Sequence, residues 1–168
     1  MNRLKFELRL AYSAEMGSST AYARYAELVD HPEIASDIRI IEARAERHRT
    51  RVRSHMNRMG TRSSRIAERW FGLVGKTMGV GGKFWGAWLS CIGASVLERL
   101  GVADYRRGAA AAERAGYLDI ATELEGFGLE ERAHNLYFRR LAGWYFRRKA
   151  GPPPRLTEAA RAVGLIDA

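Results

Sequence analysis

Glu131-Arg132-Ala133-His134 lies on a run in which Leu124, Phe127, Glu131, His134, Phe138, Leu141 and Tyr145 recur at steps of three and four residues. That spacing puts all seven on one face of a helix. Most are apolar, so the face points into a core, and a carboxylate and an imidazole three residues apart sit there side by side. Burying a carboxylate without a partner costs several kcal/mol, so this stretch calls for a compensating charge, which a divalent metal ion supplies.

Outward from this stretch, three more stripes follow the same rule. They are Leu4, Leu8, Ala11, Glu15, Ser19, Tyr22, Ala26 and Val29; Ile34, Ile38, Ile41, Ala45, His48, Val52, Met56 and Met59; and Cys91, Ala94, Glu98, Val102, Tyr105, Ala109 and Ala112. The first helix is expected to end near Asp30, with His31 and Pro32 opening the second as N-cap and first-turn proline. Gly60 stops the second helix and Gly116 separates the third from the fourth. Gly151 and three prolines end the set, and Thr157 to Val163 reads as a short helix capped by Thr157. Glu15, His48, Glu98, Glu131 and His134 are the ionisable groups on stripes that are otherwise mostly apolar.

The two halves repeat. Ile34-Ala35-Ser36-Asp37 aligns without gaps on Ile120-Ala121-Thr122-Glu123, which places His48 on His134, and Glu15 precedes Tyr22 by the same seven residues that separate Glu98 from Tyr105. Two copies of one helical hairpin joined by a crossover make an all-α, ferritin-like four-helix bundle. Its carboxylate site takes one Glu from each of two helices and a Glu-x-x-His from each of the others. The expected layout is a bundle over 1–150, with the crossover at about 60–86, and a Pro-rich turn and short tail over 151–168. The first half departs at one place, because three residues before His48 stands Ala45, leaving five protein donors where the plan has six. Glu42, one turn earlier, is a candidate extra donor, and Glu46 points about 100° away. Arg49 could instead set a guanidinium near the vacated space. An ordinary bundle with rim or salt-bridged groups at these positions is the competing reading.

Composition fits one domain, since the 168 residues are 46% hydrophobic and 28% charged. All four prolines lie at Pro32 and Pro152 to Pro154, which leaves 119 consecutive residues free of proline and favours long helices. Cys91 stands alone, which rules out an intrachain disulfide and a thiolate zinc cluster and agrees with a reducing, cytoplasmic setting. Met1 to Leu10 alternates charge with apolar residues and lacks the apolar core of a signal peptide. The net charge is +9 and 24 of 28 basic residues are arginine, densest from Arg39 to Arg69. Such charge admits an anionic partner. Nucleic acid is disfavoured, because no helix-turn-helix, zinc-finger or RNA-binding fingerprint accompanies it, and a solvated helix face is the plainer reading. From Gly72 to Gly93 seven residues are glycine, and Trp70, Phe71, Phe84, Trp85 and Trp88 stand among or beside Arg65, Arg69, Lys76 and Lys83. Aromatic residues next to basic ones suit a bilayer interface, with core packing as the alternative. The 14-residue apolar run from Phe84 to Leu97 is too short to span a bilayer.

At Glu15, His48, Glu98 and the Glu131–His134 pair the chain resembles the ferritin-like di-iron carboxylate superfamily. Within it the chain resembles most the demethoxyubiquinone hydroxylase family, through its compact two-hairpin length, the spacing of Glu15 to His48, and the Gly/Trp-rich crossover leading into Ser95-Val96-Leu97-Glu98. The resemblance covers about Leu8 to Leu141. It implies a di-iron centre that activates O2 and hydroxylates a quinone dissolved in a membrane, with the crossover resting peripherally on the bilayer. Glu15 and Glu98 would be terminal carboxylates, His48 and His134 terminal imidazoles, and Glu131 one of two bridging carboxylates, with Ala45 in place of the other. Tyr22 and Tyr105 would orient ligands, or simply pack. With Ala45 present, one metal ion is expected rather than two, and manganese or zinc suits these donors as iron does. Three readings stay open: an O2-activating hydroxylase or oxidase of a quinone-like or other small substrate; a mononuclear metal-binding protein without turnover; and a degenerate scaffold for a lipid or protein partner, including a second copy of itself. No Ser-His-Asp set, phosphate loop or thiolate motif points to another enzyme class, and no catalytic residue is assigned.

Overall fold

The computed structural model describes residues 3–63, 65–147 and 151–166, and among these the side chains of 65–68, 70–71 and 74–86 lie outside the description. The described residues form five helices: α1 Arg3–Leu28, α2 Pro32–Arg58, α3 Arg65–Arg114, α4 Leu118–Phe146 and the short α5 Leu156–Ala162. Local chemistry explains the breaks. Gly60, Gly116 and Gly151 adopt φ of 60°, 79° and 74°, a left-handed conformation open to glycine without strain. Pro32 stands at the first turn of α2 after an extended His31, where its missing N–H leaves no helical bond unmade.

The four long helices form a four-helix bundle. Tyr25 meets Cys91, Tyr22 meets Glu98, Tyr105 meets Glu15 and Arg107 meets Glu7, so the C-terminal half of α3 descends α1 antiparallel. Between α2 and α4 the pairs Arg47–Glu130, Arg51–Glu123 and Arg58–Asp119 give the same antiparallel order.

Two details differ from the sequence reading. The glycine-rich stretch belongs to the helical backbone of α3, which starts at Arg65 and not after a crossover ending near 86. Gly72 lies against the Met16 methyl, whereas the Ala87 carbonyl accepts from Tyr25. The hairpins are connected through helix, because regular i to i−4 bonding satisfies backbone groups even where glycine is frequent. The second difference is α5, which begins at Leu156 without a side-chain cap from Arg155 or Thr157. Asp37 of α2 accepts the Leu156 N–H at 3.0 Å and the Arg155 guanidinium at 3.1 Å, so a distant carboxylate satisfies the helix start. The bilayer reading rests on Trp70, Phe71, Phe84, Trp85, Arg65, Lys76 and Lys83, which lie outside the described side chains. Of the group, Trp88 is described; it is partly exposed and packs on the exposed Phe146. Among the described residues no helix is long and apolar enough to cross a membrane.

Two apolar clusters fill the bundle. One holds Tyr22, Tyr25, Ile38, Cys91, Tyr137, Phe138 and Trp144, the other Leu4, Leu8, Val52, Met56, Ile120 and Leu124. Each fully buried large side chain contributes about 1.5–3 kcal/mol of transfer free energy. On every long helix a buried ionisable residue lies between these clusters, so the bundle carries a charged layer across its middle.

Candidate metal centre

Glu15 of α1, His48 of α2, Glu98 of α3, and Glu131 and His134 of α4 all lie in that layer and all are buried. His48 Nδ1 stands 3.2 Å from Glu15 Oε1 and 3.6 Å from Glu131 Oε1. His134 Nδ1 stands 3.2 Å from Glu98 Oε2 and 3.6 Å from the same Glu131 Oε1. Among the described residues this makes two groups able to hold an ion, Glu15–His48–Glu131 and Glu98–Glu131–His134, each with its donor atoms within 4.8 Å of one another. Glu131 is common to both. Room for its carboxylate comes from Gly101, where an added Cβ would fall on Glu131 Oε2.

The hydroxyls of Tyr105 and Tyr22 donate to Glu15 Oε1 and Glu98 Oε1. Each carboxylate is therefore oriented by a tyrosine from the other hairpin. Both phenols are pushed well above their ordinary range, by burial first and by the neighbouring carboxylates second.

Negative charge is crowded in this layer. Burial, then Glu98 and Glu15, raise the Glu131 carboxyl well above the usual carboxylate range. Burial also raises Glu98, but the charge and hydrogen bond of His134, together with hydrogen bonds from Glu131 and Tyr22, outweigh it and hold Glu98 low. Burial lowers His48, while hydrogen bonds to Glu130 and Glu15 more than reverse that and lift it to about 9. Without an ion, protons on Glu131 and His48 take up the negative charge. A divalent cation replaces them with oxygen and nitrogen donors already convergent, so the residues present fit a metal.

Sequence reasoning missed two participants, Glu130 and Arg44. Glu130 Oε2 lies 3.3 Å from His48 Nε2, and Arg44 Nη1 lies 3.3 Å from His134 Nε2. The ungapped repeat that sets His48 on His134 also sets Arg44 on Glu130 and Ala45 on Glu131, and that register was the available signal. At the space beside Ala45, Glu42 is not among the donors of either group. Arg49 is turned to Glu46 at 2.6 Å, because a pair three residues apart on an accessible face forms without desolvating either charge. Much of the basic stretch is engaged in the same way, with Arg47 on Glu130, Arg51 and His55 on Glu123, and Arg58 on Asp119.

Comparison with known families places this geometry. The family described as a domain of unknown function (DUF892) matches residues 2–150, the whole bundle. The chain belongs to this family. DUF892 is a family of ferritin-like fold, in accord with the two-hairpin bundle and its polar middle layer, and nothing in the match draws this DUF892 chain toward the demethoxyubiquinone hydroxylases. No curated protein matches the chain.

Proposed function

We propose that this DUF892 protein binds a divalent metal ion, iron by preference, in the buried layer made by Glu15, His48, Glu98, Glu131 and His134. The observation that supports this most is the pair of Glu/His groups sharing Glu131, three carboxylates and two imidazoles buried together with both Nδ1 atoms facing carboxylate oxygens. Bound iron supplies a positive charge that polarises a small ligand and a couple that exchanges single electrons. The chain's own residues do the rest. Glu131 gives up its proton as the ion arrives, the tyrosine hydroxyls keep Glu15 and Glu98 turned inward, and the apolar clusters on both sides keep bulk water out.

Hydroxylation or oxidation of a quinone-like or other small substrate is the finer reading of the same site. Ala45 weighs against it, since one bridging side chain holds two ions less firmly than two. A peripheral membrane contact would use exposed Trp88, Leu89 and Phe146. Metal content per chain after anaerobic ferrous loading tests the main reading. At least one iron is expected in the native chain and none in a His48→Ala/His134→Ala chain; a native chain that retains no iron, manganese or zinc overturns it.

A further inference from the structure

The half-sites differ in what stands behind each imidazole. Resting on the metal-binding reading, we infer that Glu130 and Arg44 decide which half-site takes an ion, so that Glu15–His48–Glu131 fills first and Glu98–His134–Glu131 is held back. A neutral imidazole has one N–H and one lone pair. A ligating nitrogen must offer the lone pair, so the other nitrogen carries hydrogen and must face an acceptor. Behind His48 stands the Glu130 carboxylate, which only accepts; Nε2–H donates to it at 3.3 Å and stays there when an ion displaces the hydrogen that Nδ1 turns to Glu15 Oε1 at 3.2 Å, so the ring ligates without changing its outer partner.

Behind His134 stands the Arg44 guanidinium, which only donates. Nε2 accepts from it at 3.3 Å, which puts hydrogen on Nδ1, where Glu98 Oε2 accepts at 3.2 Å. His134 therefore turns an N–H toward its carboxylates. To ligate through Nδ1 it must move its hydrogen to Nε2, and Arg44 must withdraw. An alternative partner is near, since Arg44 Nε lies 3.7 Å from Glu130 Oε2, but Arg47 and His48 already occupy that carboxylate. The charges act in the same sense, an anion behind His48 attracting a cation and a guanidinium behind His134 repelling one. Counting donors from the sequence favours the second hairpin, which keeps its full Glu-x-x-His; the partners of the outer nitrogens reverse that order.

The test pairs cobalt(II) titration, followed by visible absorption, with nitrogen-15 NMR of the histidine rings in the metal-free chain. In the native chain one cobalt is expected to bind tightly and a second at least about tenfold more weakly, the scale usual for outer-shell partners. His48→Ala removes the tight ion, while His134→Ala keeps it. Arg44→Gln, whose amide oxygen can accept from Nε2–H, brings the second ion to within about threefold of the first. In NMR the His134 hydrogen resides on Nδ1 in the native chain and moves to Nε2 in Arg44→Gln. Tight cobalt lost in His134→Ala but kept in His48→Ala, or a native His134 hydrogen on Nε2, overturns the filling order alone. No cobalt in the native chain, with the rings protonated as expected, overturns the metal reading and the order with it.

Discussion

The α1–α2 hairpin and the α3–α4 hairpin bring a glutamate, a tyrosine and a histidine to the same layer, yet they differ at three linked positions. Where the second has Glu131, Gly101 and Glu130, the first has Ala45, Ser18 and Arg44, by the register that sets His48 on His134 and Glu15 on Glu98. The differences belong together physically. A buried carboxylate needs space and counter-charge, and Gly101 provides the space for Glu131. With no carboxylate at Ala45, a β-carbon at Ser18 costs nothing, and the guanidinium of Arg44 stands behind the His134 ring of the other hairpin. The difference between the hairpins is thus one of volume and charge spread over three residues.

The strongest way to break the comparison is to remove the residue that both half-sites share. Glu131→Gln keeps the shape and takes away the charge; metal binding is expected to fall at least about 100-fold in both half-sites, the upper scale seen when single metal-site partners are lost. Its metal-free melting temperature should hold, because burial and the neighbouring carboxylates already keep Glu131 protonated there and the amide has the same shape. A loss confined to one ion in cobalt titration would show that Glu131 serves only one hairpin.

The imidazoles are compared through pH. His48 has its folded pKa raised to about 9 against an unfolded value of about 6.5, so the stability it lends the metal-free chain is full below pH 6.5 and is lost as pH rises through 9. The loss is on the order of 3 kcal/mol. Thermal melts from pH 6 to 10 should fall steeply in the native chain and less in His48→Gln; parallel curves would show that His48 is not charged in the folded state.

Volume is the next contrast. Gly101→Ala drives a methyl into the Glu131 carboxylate and should cost about 1–3 kcal/mol, as overpacking does, whereas Ser18→Ala should cost under about 0.5 kcal/mol. Ala45→Glu alone should destabilise by a similar 1–3 kcal/mol or so without adding a second tight ion; Ser18→Gly/Ala45→Glu should recover stability, and adding Arg44→Gln to it should let two ions bind tightly. Urea unfolding and metal analysis read both; two tight ions in the single variant would show that Ser18 does not close the space.

The last test concerns where the hairpins agree. Tyr22→Phe and Tyr105→Phe each leave a buried carboxylate short of one donor, and each should cost about 1–3 kcal/mol in the metal-free chain, nearer the lower end where the ion is bound. Similar values for the two would sharpen the contrast by confining it to Ala45, Ser18 and Arg44.

The five inward ionisable residues were legible because each lies on a stripe whose apolar neighbours dictate its direction. The bundle was legible because the stripes are long and punctuated by glycine and proline. Glu130 and Arg44 escaped notice because each lies beside its stripe, where a charged residue reads as solvent-facing. Arg49 and Glu42 were weighed for the space at Ala45 by helical spacing alone, which cannot tell a guanidinium that turns inward from one that turns to Glu46.

The sequence by itself determined which faces of the four helices are buried, where the glycine turns fall, and that carboxylates and imidazoles share the core, since periodicity and turn chemistry act over a few neighbouring residues. Only the tertiary structure decided that α3 begins at Arg65 and carries the glycine-rich stretch, that Asp37 satisfies the start of α5 from 119 residues away, and that Glu130 and Arg44 stand behind opposite imidazoles. These depend on how long side chains reach across helices packed side by side, and no local pattern encodes that.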